Sequence, residues 1–104
     1  MKTSEVLDGA INLLKTCGWI QGGLGSFSQG YCAFGAIERS ATSIITLTLA
    51  VLAAETAIGG RTPLASWNDA PGRTKEQVVE ALVKAKAAAE ACARTWNSFA
   101  IDRV

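Results

Sequence analysis

Trp67, Asn68, Asp69 and Arg73 fall within seven residues of one another in the stretch SWNDAPGRTKEQ, residues 66–77. An indole, an amide, a carboxylate and a guanidinium in that space can line a concave surface with an aromatic wall, donors and acceptors. The same stretch also has a structural reading. Ala70-Pro71-Gly72-Arg73 suits a type II turn, because Pro pre-sets the second position and Gly accepts positive φ at the third. Thr74-Lys75-Glu76-Gln77 matches a capping box that would launch a helix. Asn68 and Asp69 are natural Asx-turn residues. Asp69 and Arg73 bracket the turn closely enough to pair across it beneath Trp67. The two readings are compatible: a loop that is fastened, and a loop that binds.

Covalent chemistry has little to work with. Cys32 is the candidate nucleophile, yet the chain has no histidine, the usual general base near neutral pH, and no sequence neighbour that would lower a thiol pKa. A cysteine on a small-residue helix face (Cys32, Gly35, Ala36) reads as packed core. Glu38, Glu55 and Asp69 are the carboxylates near the motifs, so no catalytic residue is assigned. Cys17, Cys32 and Cys92 are odd in number and contain no C-x-x-C, which argues against a disulfide framework and a zinc site. Reduced, buried thiols in the cytoplasm fit that pattern. The glycines of WIQGGLGSFSQG do not make a phosphate loop, since no Lys-Ser/Thr follows and a helical segment precedes. No cofactor or metal is expected.

Charge excludes two further classes. The net charge is +1 and the ten basic residues are scattered from Lys2 to Arg103, with none of the stripes that phosphate neutralisation needs. Nucleic acid is therefore not an expected partner. Between Cys17 and Arg61 only Glu38, Arg39 and Glu55 are charged. The uncharged run SATSIITLTLAVLAA, residues 40–54, is short of the roughly 20 residues a membrane span requires. The N-terminus MKTSEVLDGAINLLK carries acids and lacks the apolar stretch of a signal peptide. No membrane association is expected.

The elements that must position these residues read as helices. Residues 4–17 are amphipathic, with Val6, Leu7, Ala10, Leu14 and Cys17 on one stripe, Ser4 as N-cap and Gly18 as stop. A Gly-rich loop follows whose Trp19, Ile20, Leu24 and Phe27 should fold back onto the core. Residues 31–39 form a short helix in which Gly35 implies close passage of another backbone. Residues 41–58 form a helix that is apolar all round, expected in the middle of the bundle and stopped by Gly59–Gly60. The last helix runs from Lys75 to about Asn97, with Val78, Leu82, Ala85, Ala89, Cys92 and Trp96 facing inward. Glu80–Lys84 and Glu90–Arg94 are spaced as i,i+4 pairs. The tail residues Phe99, Ile101 and Val104 could dock on the core or on a second subunit. The expected architecture is all-α: one compact domain over residues 1–104, a bundle of about four helices with a long C-terminal one.

The order of G-W-x-Q-G (Gly18–Gly22), C-x-x-G-A (Cys32–Ala36), I-G-G (Ile58–Gly60) and W-N-D-A-P-G-R-T (Trp67–Thr74) resembles a family of small uncharacterised proteins of actinobacteria and their phages. The resemblance spans roughly residues 5–90 and implies an all-helical intracellular domain without an assigned activity. The positions that match its signatures are Trp19, Gln21, Cys32, Gly35, Trp67, Asn68, Asp69, Arg73 and Thr74. Members of that family often carry a more polar, Asp- and Arg-containing segment before C-x-x-G-A, where this chain has GGLGSFSQ.

Three functions follow from these features. A small cytoplasmic protein-interaction or regulatory module, such as a phage accessory protein docking on a host protein, agrees with a short, mildly charged chain free of cofactor motifs. Its candidate binding residues are Trp67, Asn68, Asp69, Arg73, Trp19 and Gln21, since exposed Trp and Arg dominate interface hot spots. A self-associating structural protein, dimerising through the Ala-rich C-terminal helix, is the second. An enzyme with a pocket around Cys32 and Asp69 is the third.

Overall fold

A computed structural model of the chain describes residues 2–102, with side chains through residue 94. Five helices follow in the order α1 (Thr3–Cys17), α2 (Ala33–Ser40), α3 (Ile44–Ala57), α4 (Leu64–Asn68) and α5 (Lys75–Asp102). Two short strands, β1 (Gly25–Ser26) and β2 (Gly30–Tyr31), pair antiparallel between α1 and α2. The helical architecture and the long C-terminal helix are those the apolar periodicities predict. No helix among the described residues is long and apolar enough to cross a membrane.

The centre of the molecule is α1 laid along α5. Val6, Leu7, Ala10, Ile11 and Leu14 of α1 are buried against Val78, Leu82 and Ala85 of α5 and against Ala33, Ala36 and Ile37 of α2. Spacings of three and four on each helix bring these side chains onto one stripe. Small residues at 81 and 85 let the helices approach closely. The ion pairs among the described residues do not follow the expected i,i+4 pairs. Lys86 reaches across to Asp8 at 2.9 Å and along its own helix to Glu90 at 4.0 Å.

Caps fix the element boundaries. α1 starts before Ser4, because the Glu5 carboxylate accepts from the Lys2 amide at 2.9 Å. Gly18, at φ 99°, ends it as expected. α3 begins at Ile44, where Ser43 and Thr46 satisfy each other's amides. Gly59 and Gly60 stop it, their amides bonded to Thr56 and Glu55 carbonyls. α5 begins with the expected reciprocal cap: Thr74 Oγ1 accepts from the Gln77 amide at 3.2 Å, and Gln77 Oε1 accepts from the Thr74 amide at 3.1 Å.

Four details depart from the sequence expectation. The Gly-rich loop is a small hairpin, with Trp19 bridged to Tyr31 in parallel sense. Leu24 and Phe27 are largely exposed rather than buried in the core, although Phe27 packs edge-on against Tyr31. α3 lies at the edge of the bundle, not its middle. Ala50 and Ala54 are its buried residues, while Ile44, Ile45, Leu49 and Leu52 are exposed by 73, 69, 50 and 54%. The bundle has too few helices to cover both sides of it. Cys92 is exposed as well, because the side chains of residues 91–94 extend past the packed part of α5. The expected inward Trp96 and the tail residues Phe99, Ile101 and Val104 lie outside the described side chains.

Candidate functional site

Asn68 closes α4 and is completely buried, the single buried polar or charged side chain among the described residues. A buried amide must find two donors and two acceptors, or lose their desolvation cost. Asn68 finds all four. Its Oδ1 accepts from the Trp19 indole Nε1 at 2.6 Å and from the Ala33 amide at 2.9 Å. Its Nδ2 donates to the Ile20 carbonyl and to Asp69 Oδ1, each at 3.0 Å. The Ala33 amide belongs to the first turn of α2, whose donors have no partner within their own helix. One side chain thus ties α4 to the segment after α1 and to the start of α2.

The neighbours extend the same fastening. Gln21 Nε2 donates to the Asn68 and Ala70 carbonyls, both at 3.0 Å. Asp69 Oδ1 accepts from the Gly22 amide at 2.9 Å. That bond, followed by the Asn68 amide, holds the Asp69 carboxyl below its ordinary pKa. The expected Asp69–Arg73 pair does not form, because both groups have nearer partners. Arg73 donates through Nε to the Trp67 carbonyl at 2.9 Å, and its guanidinium stacks 4.0 Å from the centre of the Trp67 ring. Between them, the Arg73 amide donates to the Ala70 carbonyl and Gly72 sits at φ 81°, as a type II turn requires.

The six sequence candidates therefore separate. Trp19, Gln21, Asn68 and Asp69 form one hydrogen-bonded network, buried at Asn68 and reaching the surface at Gln21 and Asp69. Trp67 and Arg73, both half-buried, line a groove of about 290 Å³ between the end of α3 and the first turns of α5. The concave surface predicted for Trp67, Asn68, Asp69 and Arg73 is thus formed by the first and last of them.

Cys32 is the N-cap of α2, its sulfur accepting from the Gly35 amide at 3.2 Å. Burial pushes its pKa up. The Gly35 and Phe34 amides oppose that rise, and the nearby Asp69 carboxylate adds to it. The thiol lines neither the groove at Trp67 nor the second concavity, about 310 Å³, at Tyr31, Glu38 and Arg39. Glu38 is not paired with Arg39, whose guanidinium lies 5.0 Å over the Phe27 ring. Glu55 serves the fold, its carboxylate accepting from the Leu64 amide at 2.8 Å as α4 begins.

Sequence reasoning missed the outer face of α3. Its signal was present: eleven uncharged residues from Ile44 to Ala54, with apolar side chains at every angle around the helix. The number of helices available to bury them was the missing quantity.

These features define a small helical domain fastened by a buried asparagine, with an apolar helix face left open. The chain belongs to DUF6197, a family of unknown function, whose model matches residues 1–88. No curated protein and no solved structure matches it. The matched region contains the network and the groove and ends within α5.

Proposed function

We propose that the protein is a small interaction module that docks on a partner protein through the outer face of α3. One observation carries this reading: Ile44, Ile45, Leu49 and Leu52 are each at least half exposed on a single helix. Ile45, Leu49 and Leu52, at i, i+4 and i+7, form one stripe along it. Scattered exposed aliphatics need no explanation, but a contiguous helical stripe marks an interaction surface. Covering these side chains would contribute about 1–2 kcal/mol each, enough to drive a specific contact. The three free thiols support a reducing, cytoplasmic setting, and the motif resemblance supports an actinobacterial or phage-accessory context.

The enzyme reading has less support, since the Cys32 thiol pKa is raised by burial and Cys32 lines neither concavity that Gln21 or Asp69 could share with it. Self-association is the second reading, carried by the same stripe and by the exposed alanines at 87, 88, 91 and 93 of α5. The test is the double variant Ile45→Asp/Leu49→Asp, studied by light scattering and by partner capture. A monomeric parent whose captured protein is lost in the double variant supports docking on a partner. A parent dimer that the same variant dissociates supports self-association. A variant that keeps both partner and oligomeric state overturns docking through α3.

A further inference from the structure

We infer that the groove beside Trp67 and Arg73 binds a carboxylate carried on a small apolar group. It is lined by the apolar Ala57, Ile58, Trp67 and Ala81 and by the polar Arg73, Gln77, Glu80 and Lys84. Arg73 is pinned there twice, by the Nε bond to the Trp67 carbonyl and by stacking on the indole. Such pinning removes most of the rotamer entropy that a free arginine loses on binding. With Nε occupied, the side-on fork is unavailable and the two Nη groups remain, with no acceptor among the described residues. That end presents two parallel N–H donors, the spacing a carboxylate meets with its two oxygens.

The rest of the groove points the same way. Gln77 spends its carbonyl on the Thr74 amide, so its NH₂ is the atom pair left to offer. Lys84 has no ion-pair partner among the described residues, although Glu80 stands one turn before it. Donors thus outnumber acceptors, and the ligand must be rich in acceptors. The one carboxylate, Glu80, favours a singly charged group over a phosphate dianion. The volume of about 290 Å³ lies at the small end of ligand sites. A free short-chain carboxylic acid and the C-terminal residue of another polypeptide share this chemistry. The site is independent of docking through α3, whose exposed stripe lies on the opposite side of that helix from Ala57 and Ile58.

The test is a titration of ¹⁵N-labelled protein with hexanoate, hexanamide, and an acetylated pentapeptide ending in leucine, with its C-terminus free or amidated. Hexanoate should shift the Trp67 indole and Ile58 and Ala81 amide signals saturably, with a Kd of about 1 mM, while hexanamide leaves them in place. Glu80→Gln should tighten hexanoate about threefold and Lys84→Met weaken it about threefold, both at exposed positions where folding is unaffected. Arg73→Lys should weaken it about tenfold, because an ammonium cannot replace the fork. A free-carboxylate peptide binding about tenfold tighter than hexanoate assigns the site to a chain end, and equal binding assigns it to a free acid. Equal shifts from hexanoate and hexanamide, no saturable shift with any probe, or no response to Glu80→Gln and Lys84→Met would overturn the proposal.

Discussion

The Trp19 indole donates to the Asn68 side-chain oxygen at 2.6 Å across 49 positions of sequence. This bond joins the G-W-x-Q-G segment to the W-N-D-A-P-G-R-T segment and is part of a wider set of contacts between them. Trp19 supplies the donor, Gln21 takes two carbonyls of the second motif, and Asp69 returns a bond to the amide of Gly22.

Asn68→Ala would leave the buried Ala33 N–H and the half-buried Trp19 N–H and Ile20 carbonyl without their protein partner. Each such orphan costs about 1–3 kcal/mol, so a total loss near 4 kcal/mol is expected. For a domain of this size that corresponds to a fall of roughly 15 °C or more in Tm. Thermal unfolding followed by circular dichroism measures it. A fall of only a few degrees would mean that water replaces the amide.

Gly35 faces the Leu24 carbonyl so closely that a Cβ there would overlap the oxygen. The obstacle is backbone, held by the bond from the Cys32 amide, and cannot swing aside. Gly35→Ala should therefore cost about 3 kcal/mol even though alanine is the better helix former. Urea denaturation gives the number, and a neutral or stabilising result would contradict the close approach.

The cysteines should react in order of exposure. Cys92 is exposed, Cys17 half-buried and Cys32 buried with a raised pKa. With a colorimetric disulfide reagent at neutral pH, Cys92 should react first and Cys32 only on unfolding. Rapid reaction at Cys32 in the folded protein would restore the case for a nucleophile.

Two charge contacts predict opposite pH dependences. The Asp69 pKa is depressed below 3.8 by the Gly22 and Asn68 amides, so its contribution is present above the unfolded pKa and is lost as pH falls through the folded value. The Tm gap between the parent and Asp69→Asn should close as pH falls below the ordinary aspartate range. The Lys86 pKa is raised above 10.5, first by its bond to Asp8, so its contribution is present at neutral pH and lost as pH rises through the folded value. The gap to Lys86→Met should close as pH rises above the ordinary lysine range. Calorimetry across pH measures both, and gaps that stay constant would show that neither charge matters to stability.

What could be read from the sequence was what local physics decides. The stripe of α1, the Pro-Gly turn, the Thr74–Gln77 cap and the backbone passing Gly35 each follow from residues close together in the chain or from one residue's size. The long-range partners were not legible. Asn68 and Asp69 have the composition of an Asx turn, and nothing local says that the amide is buried under Trp19. Asp69 and Arg73 have the spacing of an ion pair, and both prefer partners elsewhere in the fold. The apolar residues of α3 imply burial, but only the count and placement of the other helices shows that half of them stay in water.

Under the proposed docking, labour is divided: the asparagine network holds the fold, and the outer face of α3 would meet the partner. Partner capture by Asn68→Ala and by Ile45→Asp/Leu49→Asp, both assayed about 15 °C below the lower of their two Tm values, tests that division directly. Asn68→Ala should retain the partner, while the α3 variant should lose it with its Tm within a few degrees of the parent. Loss of the partner in folded Asn68→Ala, with retention in the α3 variant, would contradict that division.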